Sequence, residues 1–171
     1  VYGGLAEHSD AGRGWGVSDP SDLAMFDREY GQFLPEASVE RLQGHSDEVM
    51  EYVYGLLENG ADAGALRGGD GDGVAYHAHC QQRTMGLDEY SVAVLDACGY
   101  DVTTSDVECC GMAGSFGYKE QYYELAMDVG SNLEEQLRDA DCDHVIASGT
   151  SCTDQIGDLL GEEPPHVIEL L

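Results

Sequence analysis

Basic residues are scarce in this chain, which has seven lysines and arginines against 34 aspartates and glutamates. Its formal net charge of -27 would repel the phosphates of a nucleic acid, and it would also repel the anionic inner leaflet of a membrane. Neither a nucleic acid nor a lipid surface is therefore expected as a direct partner.

The sequence also lacks a long apolar run and a secretory leader. No stretch approaches the roughly 18 apolar residues that span a bilayer, and the first residues are rich in glycine and aspartate. Because the chain opens with Val-Tyr-Gly-Gly and without methionine, we expect a piece of a longer protein. We expect it in the cytoplasm, or at the inner face of the cell membrane through a partner.

Aromatic residues make up only 8% of the chain, and acidic chains of this kind are often disordered. The hydrophobic residues amount to 42% and fall in clear blocks, however, which favours a folded protein. In molar salt the screening length falls to a few ångströms, so carboxylates farther apart than this hardly repel one another. The composition therefore predicts a halophile protein, and 171 residues suffice for a single domain with a full-sized core.

Hydrophobic periodicity predicts strands and helices in alternation. Helices are predicted at 23–34, 39–60, 85–99, 118–137 and 152–160. Strands are predicted at 74–79, 100–105, 143–148 and 166–170. This alternation is typical of an α/β fold with a mostly parallel sheet flanked by helices. We expect an N-terminal helical part (1–73) and a cysteine-rich part (74–171) that form one compact unit.

Four of the six cysteines stand in turns that follow predicted strands. Cys109 and Cys110 are adjacent in the run ECCGMAGSFGY, while Cys80 follows the first of these strands and Cys152 the third. The carboxyl ends of parallel strands share one edge of a sheet, where ligands collect, so three turns should bring four thiols to one crevice. Cys80 and Cys152 also begin helices, whose amino termini stabilise thiolates.

These four thiols are the candidate ligands of a metal ion or cluster, and the glycines after the cysteine pair let the backbone approach it closely. Tetrahedral zinc and an iron–sulfur cluster both accept four thiolates, so the residues alone leave the choice open. Cys98 ends a helix and Cys142 precedes a strand, which assigns both to the opposite edge of the sheet.

Polar residues beside these cysteines are candidates for tuning such a site. His77 and His79 alternate along a strand and so share one face, from which a ring could donate a hydrogen bond. Arg83 and Lys119 are rare cations just past the cysteine turns and could offset negative charge. Ser151 could donate a hydrogen bond or cap the neighbouring helix. Ordinary core histidines and solvated surface cations remain the alternatives.

No nucleophile–base pair, phosphate loop or flavin fingerprint is present, so we assign no catalytic residue. The run GGDGDG at 68–73 lacks a preceding strand, and it leads into a strand instead of a helix. The chain is not expected to bind NAD or FAD alone, and FAD is expected only on a partner domain.

The run HAHCQQR, the loop CCGMAGSFGY and the segment GTSCTDQI together resemble the cysteine-rich CCG domain. That domain occurs in iron–sulfur subunits of FAD-linked dehydrogenases of the D-lactate, glycolate or glycerol-3-phosphate type, and in heterodisulfide reductases. The resemblance covers about residues 74–171. It implies an iron–sulfur cluster, of the 4Fe-4S type, ligated by Cys80, Cys109, Cys110 and Cys152.

The chain departs from the resembled pattern at two positions. Family members tend to contain two copies of the unit, and Ser18–Asp22 aligns with Ser148–Cys152 as the tail of a first copy. Asp22 stands where many relatives have cysteine, and Gly149 stands at the first place of their C-x-x-C pair. A four-thiolate cluster is therefore favoured over a five-cysteine one.

The resemblance implies an electron-transfer module, an oxidoreductase component that passes electrons from a flavin on another domain or subunit to a downstream acceptor. Two alternatives remain open. One is a thiol/disulfide redox module of the heterodisulfide-reductase type, and the other is a structural zinc domain that docks a partner subunit.

Overall fold

The computed structural model describes residues 14–66 and 68–171, together with Leu5. The strands within these residues are β1 (Trp15–Val17), β2 (Ser46–Glu48), β3 (Gly73–His77), β4 (Asp101–Thr104) and β5 (His144–Ala147). The α-helices are α1 (Pro20–Arg28), α2 (Glu36–Gln43), α3 (Val49–Glu58), α4 (Cys80–Met85), α5 (Asp88–Ala97), α6 (Glu120–Asp139) and α7 (Thr150–Leu160). Short 3-10 helices lie at Tyr30–Gln32, Ala63–Ala65 and Val167–Leu170.

The larger sheet has the strand order β4-β3-β5, and β3 pairs in parallel with both neighbours. Val74 of β3 lies opposite Val102 of β4 on one side and His144 of β5 on the other. The predicted α/β fold with a parallel sheet flanked by helices is therefore confirmed. All three strands end at one edge of the sheet. The loop with Cys109 and Cys110 follows β4 at this edge, and α4 and α7 begin there after β3 and β5.

The central strand β3 packs on helices at both faces. Tyr76 is fully buried in a cluster that includes Met50 of α3 and Leu95 of α5. Ala75 points the other way, into a second cluster that includes Leu133 of α6. A strand covered on both faces needs apolar residues at successive positions, as the sequence of β3 supplies. Because Met50 belongs to the first cluster, the N-terminal part shares this core.

The predicted helix at 39–60 is wrong, because the structure divides it into α2 and α3 with β2 between them. Gly44 ends α2, and the polar run Ser46–Glu48 then pairs in parallel with β1. A strand with the sequence Ser-Asp-Glu shows no apolar alternation, so periodicity does not reveal it. The helix predicted at 23–34 begins earlier, at Pro20, and α1 ends at Arg28.

The predicted last strand at 166–170 is also wrong. His166 alone forms a parallel bridge, to Ala147, and Val167–Leu170 is a 3-10 helix. The His166 ring accepts a hydrogen bond from the Ile168 amide at 3.3 Å, and the Glu169 carboxylate accepts one from the His166 amide at 3.0 Å. These reciprocal bonds cap the turn, while its apolar residues face the core.

Gly86 separates α4 from α5. Gly86 has φ of +72° and ends α4 in the left-handed conformation, so the helix predicted from residue 85 begins only at Asp88.

No helix of the described residues is both long enough and apolar enough to cross a membrane.

Candidate metal centre

A cavity of about 500 Å³ lies at the carboxyl edge of the larger sheet. The four thiols singled out in the sequence all line it: Cys80, Cys109, Cys110 and Cys152. They come from the start of α4, from the loop after β4 and from the first turn of α7. The parallel register of three strands therefore brings thiols that are up to 72 residues apart to one place.

Cys80 is the first residue of α4 and is half-buried. His79 caps this helix, because its Nδ1 accepts a hydrogen bond from the Gln81 amide at 3.1 Å. Burial raises the pKa of Cys80, and the nearby charges of Cys109 and Cys110 raise it further. The thiolate stabilisation expected from a helix start is thus outweighed at this position.

The loop that carries Cys109 and Cys110 packs closely against the backbone of α6. Gly111 has φ of +104°, and a Cβ at this position would lie 2.2 Å from the Ala126 carbonyl oxygen. On the opposing helix, a Cβ at Gly130 would lie 2.8 Å from the Cys110 carbonyl oxygen. The Cys109 sulfur accepts a hydrogen bond from the Gly111 amide at 3.4 Å. Glycines at both contact positions are what allow this close approach.

Cys110 and Cys152 are both buried, and their sulfurs lie within 4.8 Å of each other. A hydrogen bond from the Cys152 thiol lowers the pKa of Cys110 to about 4, against the opposing effect of burial, and His77 lowers it as well. The same contact, together with burial, raises the pKa of Cys152. Cys110 is therefore the more acidic thiol of the pair.

His77, at the end of β3, belongs to the same cluster. A ring nitrogen of His77 and the sulfurs of Cys110 and Cys152 all lie within 4.8 Å of one another, a spacing at which three ligands could hold one metal ion. Its Nδ1 lies 2.8 Å from the Ser105 hydroxyl oxygen. His77 is not among the residues that line the cavity, but its imidazole lies close to two of the four thiols.

The remaining predicted neighbours occupy different places. The His79 Nε2 is 3.5 Å from the Ser151 hydroxyl, both residues line the cavity, and burial lowers the pKa of His79. Arg83 donates from Nη2 to the Ser105 carbonyl and is not among the residues that line the cavity. Lys119 precedes α6, with its ammonium 6.0 Å from the centre of a tyrosine ring, and it does not line the cavity.

All six cysteines are free thiols, and two of them lie away from the cavity. Cys98 is buried in the apolar core at the end of α5. Cys142 precedes β5 and packs partly buried against the second core cluster. Cys98 thus follows a helix and Cys142 precedes a strand, so neither lies at the edge of the sheet that carries the cavity.

Asp19 is a cavity residue that the sequence did not single out. Its carboxylate accepts hydrogen bonds from the Ser21 amide at 2.9 Å and from the Thr150 amide, in the first turn of α7, at 3.0 Å. Burial disfavours the charged form, but hydrogen bonds from the Ser21 hydroxyl and from these two amides outweigh it, so the pKa of Asp19 is lowered. The alignment of Ser18–Asp22 with Ser148–Cys152 was a signal that pointed to this segment.

Comparison with known proteins agrees with this geometry. The family model of the cysteine-rich CCG domain matches residues 74–157, which include the ends of β3, β4 and β5 and all four thiols of the cavity. Residues 74–157 belong to the CCG family. The CCG domain here is thus the part of the chain that carries the larger sheet.

Two relatives of this chain are named as a dehydrogenase or as a subunit of one. The chain is 31% identical over 99 residues to one subunit of the anaerobic glycerol-3-phosphate dehydrogenase of Escherichia coli K12, a match that covers 57% of this chain and 25% of that subunit. It is 25% identical over 156 residues to the D-2-hydroxyglutarate dehydrogenase of Pantoea ananatis, over 90% of this chain and 15% of that protein. The chain therefore spans a quarter or less of these curated relatives. No solved structure matches it significantly.

Proposed function

We propose that this chain is the iron–sulfur electron-transfer module of an FAD-linked dehydrogenase. The observation that supports this most directly is the arrangement of four free thiols, from one loop and the first turns of two helices, around one cavity. Cys98, by contrast, packs in an apolar core cluster and does not line the cavity. Thiols that converge on a cavity from several loops are instead typical of a ligand set.

The residues at the cavity fit a thiolate-ligated cluster. Cys80, Cys109, Cys110 and Cys152 would hold it, which is the complete donor set of a four-cysteine cluster of the 4Fe-4S type. The backbone at Gly111 approaches without a side chain, and the buried imidazole of His77 faces two of the sulfurs. When bound, such a cluster accepts and releases one electron at a time.

The protein's own residues prepare this site in two ways. The lowered pKa of Cys110 favours its thiolate, which is the form that binds a metal, whereas the pKa values of Cys80 and Cys152 are raised. The burial of Cys110 and Cys152 lowers access of water to their sulfurs, which slows oxidation of the thiolates.

The names of the relatives support a proposal for the substrate class and the partner. Their names record the oxidation of glycerol 3-phosphate and of D-2-hydroxyglutarate, and the second of these is a 2-hydroxy acid. We propose that the electrons come from a 2-hydroxy acid such as D-lactate or glycolate, or from glycerol 3-phosphate. The oxidation would occur at a flavin on another domain or subunit, and a downstream acceptor would take the electrons. Six free thiols suit the reducing cytoplasm, including its membrane face.

We further propose that residues 1–73 contain the tail of a preceding half-domain and that 74–171 form the cluster-binding unit. The likeness of two segments supports this. Ser18 and Asp19 join β1 to α1, just as Ser148 and Gly149 join β5 to α7, and in both cases the strand belongs to a parallel sheet.

Serine substitution of a single cysteine tests the proposal. Replacing Cys109 by serine should remove most of the iron and sulfide that the chain takes up during anaerobic reconstitution, because serine is a poor substitute for a thiolate and Cys110 cannot fill both positions. Cys142→Ser is the matched control, since Cys142 lies at the other edge of the same sheet. Equal iron loading in Cys109→Ser and in the unaltered protein would remove the paired-cysteine loop from the site.

A further inference from the structure

The His77 ring lacks a partner on one side. The side chain is fully buried, its Nδ1 contacts the Ser105 hydroxyl, and its Nε2 has no hydrogen-bond partner among the described residues. The nearest groups that need a donor are the sulfurs of Cys110 and Cys152, which lie with a nitrogen of the ring inside a 4.8 Å cluster. A buried polar nitrogen is rarely left unpaired, so this one calls for an acceptor.

The contacts of Ser105 determine which nitrogen of His77 carries the proton. Arg83 donates from Nη2 to the Ser105 carbonyl oxygen, and the same nitrogen lies 3.4 Å from the Ser105 hydroxyl oxygen. Arginine has donors only, so the hydroxyl oxygen accepts on that side. Among the described residues, the hydroxyl proton has one acceptor within reach, the His77 Nδ1. An Nδ1 that accepts leaves the proton of a neutral imidazole on Nε2.

We propose that Arg83, Ser105 and His77 form a hydrogen-bond relay that directs the Nε2–H of His77 at the sulfurs of Cys110 and Cys152. His77 is then a positioning residue of the cluster site and not a ligand. This inference rests on the proposed function, because a bound cluster supplies the sulfur acceptors. It also gives Arg83 a role, since the guanidinium acts on the site through Ser105 and not by direct contact with the thiols.

The relay has a measurable consequence for the reduction potential. A hydrogen bond to a ligand sulfur stabilises the more negatively charged, reduced state, so it raises the potential of the cluster. Loss of the donor should therefore shift the potential to a more negative value and leave the number of bound iron atoms unchanged. A nitrogen that served as a ligand would produce the opposite pattern, with loss of iron.

The experiment compares four forms of the full chain after anaerobic reconstitution: the unaltered protein, His77→Phe, Ser105→Ala and His144→Phe. His144 begins β5 at the opposite edge of the sheet, so its replacement is the matched control for the loss of an imidazole. We expect equal iron and sulfide in all four. We expect a more negative potential in His77→Phe, a smaller shift of the same sign in Ser105→Ala, and no shift in His144→Phe.

Two outcomes of that comparison would overturn the relay. An unchanged potential in His77→Phe would show that the ring only packs, and a loss of iron confined to His77→Phe would show that Nε2 is a ligand. Because Ser105→Ala leaves the ring in place, it keeps the test decisive if His77→Phe does not fold.

A second measurement is independent of the cluster. In metal-free protein, long-range proton–nitrogen NMR spectra distinguish the two tautomers of the His77 ring. The relay requires the Nε2–H tautomer in the unaltered protein. In Ser105→Ala, we expect a mixture of the two tautomers. An Nδ1–H tautomer in the unaltered protein would refute the relay. If the unaltered protein takes up no iron and sulfide, the proposed function fails, whereas these spectra still decide the relay.

Discussion

At the scale of single residues, the site depends most on Gly111. This glycine follows the cysteine pair in a left-handed conformation, and its Cα faces the backbone of α6. A side chain here would meet the Ala126 carbonyl oxygen at 2.2 Å, a distance that no rotamer can relieve because the clash involves the Cβ itself. The position of Cys109 and Cys110 is therefore coupled to the seating of their loop on the helix.

Replacing Gly111 by alanine should destabilise the protein by roughly 3 kcal/mol or more, because left-handed strain adds to a backbone clash. Iron uptake should fall as well, since the loop must move away from α6. Urea unfolding and iron analysis of the same samples measure the two effects.

Gly114 provides the matched control for this substitution. It lies in the same loop with φ of +66°, but a Cβ there would meet nothing within 4 Å. Gly114→Ala should cost only about 1 kcal/mol, from left-handed strain alone. If the two variants had equal stability, the clash with α6 would not be what holds the loop.

At the scale of the elements, the sequence predicts those whose hydrophobic pattern is local and misses those that depend on a distant partner. β3, α6 and α7 are predicted because apolar residues mark their buried faces. β2 is missed, since Ser46–Glu48 is polar and becomes a strand only by pairing with β1. The apolar run at the end of the chain predicts a strand, although capping by His166 folds it into a turn.

The same distinction applies to the candidate site. The convergence of Cys80, Cys110 and Cys152 could be predicted, because it follows from the rule that parallel strands end at one edge. The opposite pKa shifts of Cys110 and Cys152 could not, since they depend on side-chain packing within a few ångströms. The contact of Asp19 with Thr150 joins residues 131 apart and leaves no local trace in the sequence.

The junction of β2 and α3 contains a buried acid. Glu48 is fully buried and caps α3, and one of its carboxylate oxygens accepts from the amides of Met50 at 2.8 Å and Glu51 at 3.2 Å. The other oxygen has no partner among the described residues. Burial raises the pKa of Glu48 to about 7, and the two amide hydrogen bonds only partly offset this.

A raised pKa makes Glu48 a source of pH-dependent stability. Its folded pKa lies above the ordinary value of 4.5, so the native state binds more protons than the unfolded state between those values. The contribution of Glu48 is fully present below about pH 4.5 and is lost as the pH rises through about 7, a change on the order of 3 kcal/mol.

Glu48→Gln should remove this loss, because the amide keeps a carbonyl oxygen for the cap and does not ionise. Relative to the unaltered protein, the variant should therefore gain stability between pH 5 and pH 8, as measured by urea unfolding at high salt. Glu40→Gln on α2 removes one exposed carboxylate and controls for the change in net charge. Parallel pH profiles for all three proteins would argue against a buried proton at Glu48.

At the scale of the whole molecule, the net charge of -27 dominates the electrostatics. Few cations are available to offset it, and Arg138–Glu134 is an exposed pair of the kind that contributes little. Mutual repulsion of the carboxylates should be severe at low ionic strength and weak once the screening length falls to about 3 Å in molar salt.

We therefore expect the melting temperature to fall steeply as sodium or potassium chloride is lowered from molar to millimolar concentration. Screening of surface charge should act on the metal-free and the reconstituted protein alike, so both should show the trend. A melting temperature independent of salt over that range would contradict the expectation of a halophile protein.

The central claim is that the four thiols of the cavity hold an iron–sulfur cluster. The most direct test is the iron, sulfide and zinc content of the chain after anaerobic purification and reconstitution, read together with its visible absorption. The account predicts iron and acid-labile sulfide in equal amounts, close to four of each per chain, with a broad visible band that bleaches on reduction. A protein that contains zinc alone, and takes up neither iron nor sulfide, would contradict it.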